Sequence, residues 1–347
     1  MVSQIRLTKW LAALLLAVFV SGLLPGCDAR PGEQVVAFDG LTMGTSFSVR
    51  WVDTDATRVA PIRAEVVALL AEINRKMSTY IDDSELSRLN RARPGETQTV
   101  SAELMFVLQE ARRVSEWTDG AFDVTVGPLV NLWGFGPDGR IIHAPSEEEI
   151  ERLRGRIGYR FIELMPASRQ VRRLGEQYID LSAIAKGYGV DAVAQLLEQN
   201  GIDRYLVEIG GELRALGLKP DGSPWKVAIE APVAGSERIA QSIISLDGGA
   251  VATSGDYRNY FEEDGVRYSH TIDPRTARPI AHRLASVSVI RPTCTEADAL
   301  ATALMVMGEE RGYDFAIKNR VKAFFISRGE NGFVSRATPE FEAHLNR

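Results

Sequence analysis

The chain has 347 residues, 45% hydrophobic and 25% charged, with a formal net charge of −6. That length supports one large domain or two fused lobes with a full hydrophobic core. The acidic balance, with no basic stripe or interleaved aromatics, excludes non-specific nucleic-acid binding, and two cysteines exclude a disulfide-built scaffold.

Residues 1–26 read as a signal peptide. Arg6 and Lys9 form a positive n-region, and Leu11 to Val20 is apolar but too short for a dedicated membrane span. Leu24-Pro-Gly-Cys27 resembles a bacterial lipobox, which implies cleavage before Cys27 and lipidation of its sulfur. Asp28 resembles the inner-membrane retention signal of Gram-negative lipoproteins. An uncleaved N-terminal anchor gives the same topology, with the body held at the inner membrane and facing the periplasm. Without Arg6 and Lys9 the formal charge becomes −8, and Cys294 is the only thiol besides Cys27. Residues 27–37 read as lipidated Cys and tether.

Phe47 to Trp51 alternates as a strand. Residues 60–77 carry Ile62, Val66, Leu69, Leu70 and Ile73 at helical spacing. Further helices are predicted over 101–117, opened by Ser101, and over 146–154, capped by Ser146. Tyr178 to Leu181 is strand-like, and residues 182–200 read as a helix stopped by Gly201. Strands follow at 204–209, 225–230 and 242–246, then a hairpin of 257–261 with 266–270 around Glu262-Glu-Asp-Gly265. A strand at 285–291, a helix at 294–308 and a strand at 323–327 complete the pattern. Without regular β-α-β alternation, this is an α+β fold with mixed, largely antiparallel sheets and flanking helices.

Within the helix at 294–308, Asp298 and Thr302 stand four residues apart and share one face. A carboxylate among Ala, Leu and Met needs a neutralising partner, and a hard cation such as Mg²⁺ is one. Thr295-x-x-Asp298 also fits a capping box. Met43, in Leu41-Thr-Met-Gly-Thr-Ser46, suits packing on a flat ring or plain core filling. Tyr80 sits among polar neighbours, as a stacking residue or a half-exposed surface one. Asp123 lies in the strand-like part of Thr118-Asp-Gly-Ala-Phe-Asp-Val-Thr-Val-Gly-Pro128, where Asp is disfavoured. In Asp180-Leu-Ser-Ala-Ile-Ala-Lys186-Gly the predicted helix start offers amide donors and Lys186 a positive charge for phosphate, without Walker spacing. Glu208-Ile-Gly-Gly-Glu212 reads as a tight turn or pocket-lining backbone, and Val251-Ala-Thr-Ser-Gly-Asp256 as a loop. His270, at a strand end before Asp273-Pro274, is the side chain best suited to take a proton near neutral pH.

Together these segments resemble the ApbE flavin transferases. The signatures are Met-Gly-Thr at 43–45, Ser-Thr-Tyr at 78–80, Asp-Gly-Ala-Phe-Asp at 119–123 and Asp-Leu-Ser-Ala-Ile-Ala-Lys-Gly at 180–187. Glu-Ile-Gly-Gly-Glu at 208–212, Ala-Thr-Ser-Gly at 252–255, His-Thr-Ile-Asp-Pro at 270–274 and Ala-Asp-Ala-Leu-Ala-Thr-Ala at 297–303 follow in family order. The resemblance implies a T-fold-like, two-lobed single domain over 38–347. It implies that FAD and a Thr or Ser hydroxyl of a target protein give phosphoester-linked FMN and AMP. It assigns FAD to Met43, Tyr80, Ala121, Phe122 and Asp123, with Asp180, Lys186 and His270 beside it. It assigns Mg²⁺, or Mn²⁺, to Asp298 and Thr302 with carbonyl help from Ala183 and Ala301, and makes His270 and Asp298 the catalytic pair. His270 is read as the base for the acceptor hydroxyl or as a donor to the diphosphate.

The acceptors implied are exported subunits of membrane redox complexes of the sodium- or proton-pumping Rnf/Nqr type. Asp247-Gly-Gly-Ala-Val-Ala-Thr253 departs from the family's acceptor motif at Ala250 and Val251, and reads as an active-site loop. The alternatives are an Mg²⁺-dependent FAD diphosphatase giving FMN and AMP, and a non-catalytic periplasmic flavin-binding lipoprotein.

Overall fold

The computed structural model describes residues 32–136, 143–233, 239–257 and 259–345. Residues 1–31, with the segment read as signal peptide and lipobox and with Cys27, lie outside them. The central element is one eight-stranded antiparallel sheet whose spatial order follows the chain. Its strands are β1 (Gln34–Thr42), β2 (Thr45–Asp53), β3 (Tyr205–Ile209) and β4 (Glu212–Leu216). The series continues with β5 (Gly248–Gly255), β6 (Leu284–Arg291), β7 (Lys322–Gly329) and β8 (Gly332–Ala337). Apart from the segment after β8, the other described elements are insertions between consecutive strands, which is why the strand signals are so dispersed along the chain.

One face of the sheet carries the helices α1 (Val59–Met77), α2 (Ala102–Trp117), α3 (Ala185–Gln199), α4 (Cys294–Met307) and α5 (Glu309–Lys318). The apolar stripe of α1, from Ile62 through Val66, Leu70 and Ile73 to Met77, is buried against Phe47, Val49 and Trp51 of β2 in one continuous core. α4 is buried on nearly every side because it packs on β5, β6, α2, α3 and α5 at once. The opposite face is covered by the hairpin Trp225–Glu230/Ala240–Leu246 and by Pro339–Glu342. A smaller three-stranded sheet joins Thr97–Thr99, Ile162–Met165 and Gln170–Arg173.

The fold is therefore α+β with antiparallel sheets, as expected, but several local readings change. β1 begins at Gln34, inside the segment read as tether. Tyr178 to Leu181 joins no sheet; Asn90 holds it through Ile179, and α3 starts at Ala185, not Ser182. Val251 to Asp256 is mostly strand β5, its Gly and Ser content having suggested a loop. Of the segment 247–253 read as an active-site loop, Gly248 to Thr253 is strand in β5, with Thr253 on the cavity described below and Gly248 and Gly249 at the other end. The 260s hairpin forms with a tighter turn than expected, Tyr260–Glu263 pairing with Val266–Ser269 around Asp264-Gly265.

Candidate active site

A cavity of about 470 Å³ opens at one end of the sheet. Two turns of the main sheet meet there. Met43 and Gly44 join β1 to β2 with φ of 48° and 72°, both left-handed, as a two-residue hairpin turn demands. Gly210 and Gly211 make the matching turn between β3 and β4, which places Glu212 at the cavity wall. The end of β5, the middle of α4, the start of α3, the loop at 121–126 and the segment around His270 supply the rest.

Of the residues singled out in the sequence, Tyr80, Ala121, Phe122, Asp123, Asp180, Ala183, Lys186, His270, Asp298 and Thr302 all line this one cavity. Met43 and Ala301 do not: Met43 packs on the core beside Gly189, and Ala301 is fully buried within α4. Tyr80 is 69% exposed at the rim of the cavity.

Asp298 does not cap its helix. Thr293 does, accepting from the Glu296 amide, and Asp298 lies in the following turn, 3% exposed. Its Oδ2 accepts from the Gly187 amide at 3.0 Å, across the α3–α4 contact. A Cβ on Gly187 would lie 2.4 Å from the Cys294 carbonyl oxygen, so only glycine allows this approach. Lys186, one residue earlier, sends Nζ to within 2.6 Å of Glu212 Oε1. Burial works against the Lys186 charge, but Asp298 and Glu212 outweigh it and raise its pKa. Burial raises Asp298 against the pull of Lys186 and the Gly187 amide. Burial likewise pushes Glu212 up to about 7, despite its ion pair with Lys186.

Three oxygen donors remain short of partners or face one another here. Glu212 Oε2 is buried with no hydrogen-bond partner, and the Thr302 hydroxyl lies 3.1 Å from that of Ser254. An all-oxygen set with a buried carboxylate fits a hard cation that completes its shell with substrate phosphate and water. Among the described residues no group of three or more His, Cys, Asp or Glu side chains is poised for a metal, so a cation bound here would also have to draw on hydroxyls, carbonyls and substrate phosphate.

The other two aspartates of the cavity, Asp123 and Asp180, are partnered by the protein. Asp123 is not in a strand but in a tight turn. Its Oδ1 accepts from the Thr125 amide and hydroxyl at 2.8 and 2.6 Å, and its Oδ2 from the Tyr159 amide at 2.9 Å. Burial still raises its pKa against these bonds. Asp180 Oδ1 accepts from the amide and hydroxyl of Ser182 at 2.8 and 2.6 Å, shaping the approach to α3. His270 Nδ1 lies 3.1 Å from the Asn259 carbonyl oxygen. A carbonyl only accepts, so Nδ1 carries the proton and Nε2 keeps its lone pair. Burial, with Lys186 nearby, holds the His270 pKa below its usual value.

The cavity thus brings a buried Lys–carboxylate cluster and further oxygen ligands together with aromatic rings and an imidazole. The ApbE family model matches residues 43–325, most of the chain. The chain belongs to the ApbE family. Among its relatives, the FAD:protein FMN transferase of Vibrio cholerae is 46% identical over 98% of this chain and 99% of its own length. That of Haemophilus influenzae is 42% identical over 96% and 98%. Among solved structures, the flavin transferase ApbE from Vibrio cholerae matches with a TM-score of 0.83 at 44% identity, covering 90% of this chain and 100% of that one. The apo flavinyl transferase ApbE of Pseudomonas stutzeri matches at 0.83 and 42%, covering 91% and 98%.

Sequence reasoning left three cavity residues of this ApbE fold unassigned. Glu212 had been taken only as part of a turn motif, although a Glu right after two turn glycines is where a hairpin aims a side chain. Ser254 was hidden in a segment read as loop. Phe135 lines the cavity in edge contact with His270 and stacks on Phe261; only its place after Trp133 and Gly134 signals it.

Proposed function

We propose that this protein transfers FMN from FAD to a Thr or Ser hydroxyl of an exported protein and releases AMP. The observation that carries the reading is the convergence, in one cavity, of Lys186, Asp298, Thr302, His270 and the aromatic residues Tyr80 and Phe135. The acceptor oxygen forms a bond to the FMN-side phosphorus, and the bond from that phosphorus to the bridging oxygen breaks, leaving the electron pair on AMP. The hydroxyl proton goes to Nε2 of His270, which burial keeps neutral near pH 7. Lys186 neutralises diphosphate charge, held in place by Glu212. Mg²⁺ or Mn²⁺, held by Asp298 and Thr302 with the Ala183 carbonyl, would supply electrostatic stabilisation of the charge that builds on the leaving phosphate. Tyr80 and Phe135 offer apolar surface to the flavin or adenine.

The setting is part of the same proposal: an inner-membrane lipoprotein, anchored through Cys27 and facing the periplasm, acting on flavoprotein subunits of Rnf/Nqr-type complexes. No helix among the described residues is long and apolar enough to cross a membrane, and the proposed attachment is through lipid.

The test incubates the protein with FAD, Mg²⁺ and a candidate acceptor domain, weighs the acceptor by intact-mass spectrometry and assays AMP. An acceptor heavier by one FMN phosphoryl group, with matching AMP, is expected. AMP and free FMN with an unchanged acceptor, across several acceptors, would replace the transferase reading with a diphosphatase. Radiolabelled palmitate on wild type but not on Cys27→Ala tests the anchor.

A further inference from the structure

The three charged groups at the floor of the cavity come from three different elements: Lys186 from α3, Asp298 from α4 and Glu212 from β4. Their mutual placement depends on how those elements are joined. One side chain outside the cavity joins all three. Asp191, on α3 five residues after Lys186, accepts at Oδ1 from the Cys294 amide (2.9 Å) and from Arg214 Nη1 (3.0 Å). Its Oδ2 accepts from the Thr295 amide (2.8 Å) and the Thr295 hydroxyl (2.6 Å). Cys294 and Thr295 open α4 one turn before Asp298, and Arg214 lies two residues along β4 from Glu212, on the same side of the strand.

We infer that Asp191 is a positioning residue: its carboxylate fixes α3, α4 and β4 against one another, and so sets where Lys186, Asp298 and Glu212 stand. The bonds are charge-assisted, and two of them satisfy the first amides of α4, which have no partner within the helix. They also sit one turn from the Gly187–Asp298 contact, where a Cβ has no room. The α3–α4 crossing is thus pinned at two levels, by contact at the cavity and by Asp191 behind it. Arg214 is in turn held by Glu198 at 3.3 Å, so the fixing point is itself braced. A helix cap alone needs neither the bond to Arg214 nor a carboxylate from a different helix.

This inference rests on the proposed activity of the cavity, and the test keeps it distinct from the metal reading of Asp298. Wild type, Asp191→Asn and, as a stability control, Arg58→Met are compared. Arg58 pairs with Asp53 and the Asn200 carbonyl at the far end of the sheet. Mn²⁺ uptake is followed by loss of the free-ion EPR signal, and AMP release is measured at saturating metal. In Asp191→Asn, Mn²⁺ affinity and kcat are each expected to fall about 10- to 100-fold, as for other residues that orient a ligand. The FAD KM should move by less than about threefold, because ground-state contacts stay in place. Arg58→Met should lower the melting temperature and leave kcat and Mn²⁺ affinity per folded molecule unchanged. If Asp191→Asn also loses only melting temperature, Asp191 is a structural cap and the inference is wrong. If wild type takes up no Mn²⁺ while the kcat loss at constant KM holds, the metal reading fails and the positioning role stands. Should Asp191→Asn not fold, Thr295→Val removes one of the four bonds and is expected to lower kcat a few-fold at unchanged KM; no change would overturn the proposal.

Discussion

Two buried aspartates line the same cavity and are built for different work. Asp123, 8% exposed, accepts three hydrogen bonds from Thr125 and Tyr159, and so has little capacity left for a ligand. Asp298, 3% exposed, accepts one, from Gly187, and relies on the charge of Lys186. Burial raises both pKa values, but Asp298 draws on a single hydrogen bond where Asp123 draws on three. Saturated acids hold loops in shape, and under-supplied ones take up charge from a ligand.

Substitutions should pull these roles apart. The largest effect is expected at Asp298: Asp298→Asn should cut FMN transfer about 10³-fold. It should leave the melting temperature unchanged or raise it, because a buried charge is removed. Rate and thermal denaturation, measured on the same preparation, check both halves. Next comes His270→Gln, expected to lower the rate about 10²-fold and to abolish the acid limb of the pH profile. In wild type the neutral imidazole is the active form and burial depresses its pKa. Activity should therefore persist to a pH below the midpoint of a free imidazole, and be lost as pH falls further. Asp123→Ala should do the reverse of Asp298→Asn, costing about 2–3 kcal/mol in denaturant unfolding because Thr125 and Tyr159 lose their acceptor. Its kcat at low temperature should fall much less. The smallest effect belongs to Tyr80→Ala: the exposed ring should raise the FAD KM about 2- to 10-fold and leave stability alone.

The contrast between the aspartates was only half legible in the sequence. Asp298 stood out because a carboxylate inside an Ala- and Leu-rich helix violates burial rules, and that violation survives in the structure. Asp123 stood out for breaking a strand pattern, but the strand does not exist. What the local pattern could not reveal is that Thr125, two residues on, and Tyr159, far along the chain, answer its oxygens. Helices with clean periodicity, such as α1 and α2, were readable to within a few residues. The sheet was harder, because its eight strands follow chain order but are separated by insertions, one running from the end of β2 at Asp53 to the start of β3 at Tyr205. β5 reads as loop because Gly248, Gly249 and Gly255 dilute its apolar alternation, yet β4 and β6 pair it on both sides. Asp191 and Glu212 act through partners distant in sequence, Thr295 and Lys186, and no single window contains both halves of either contact.

The most direct measurement is anomalous diffraction from crystals grown with FAD and Mn²⁺. A manganese peak between the free carboxylate oxygen of Asp298 and the Thr302 hydroxyl, with the diphosphate completing its shell and Asp123 still bonded to Thr125 and Tyr159, is the expected result. Manganese on Asp123, or FAD bound with Asp298 contacting only Gly187 and Lys186, would contradict the division of labour between the two acids.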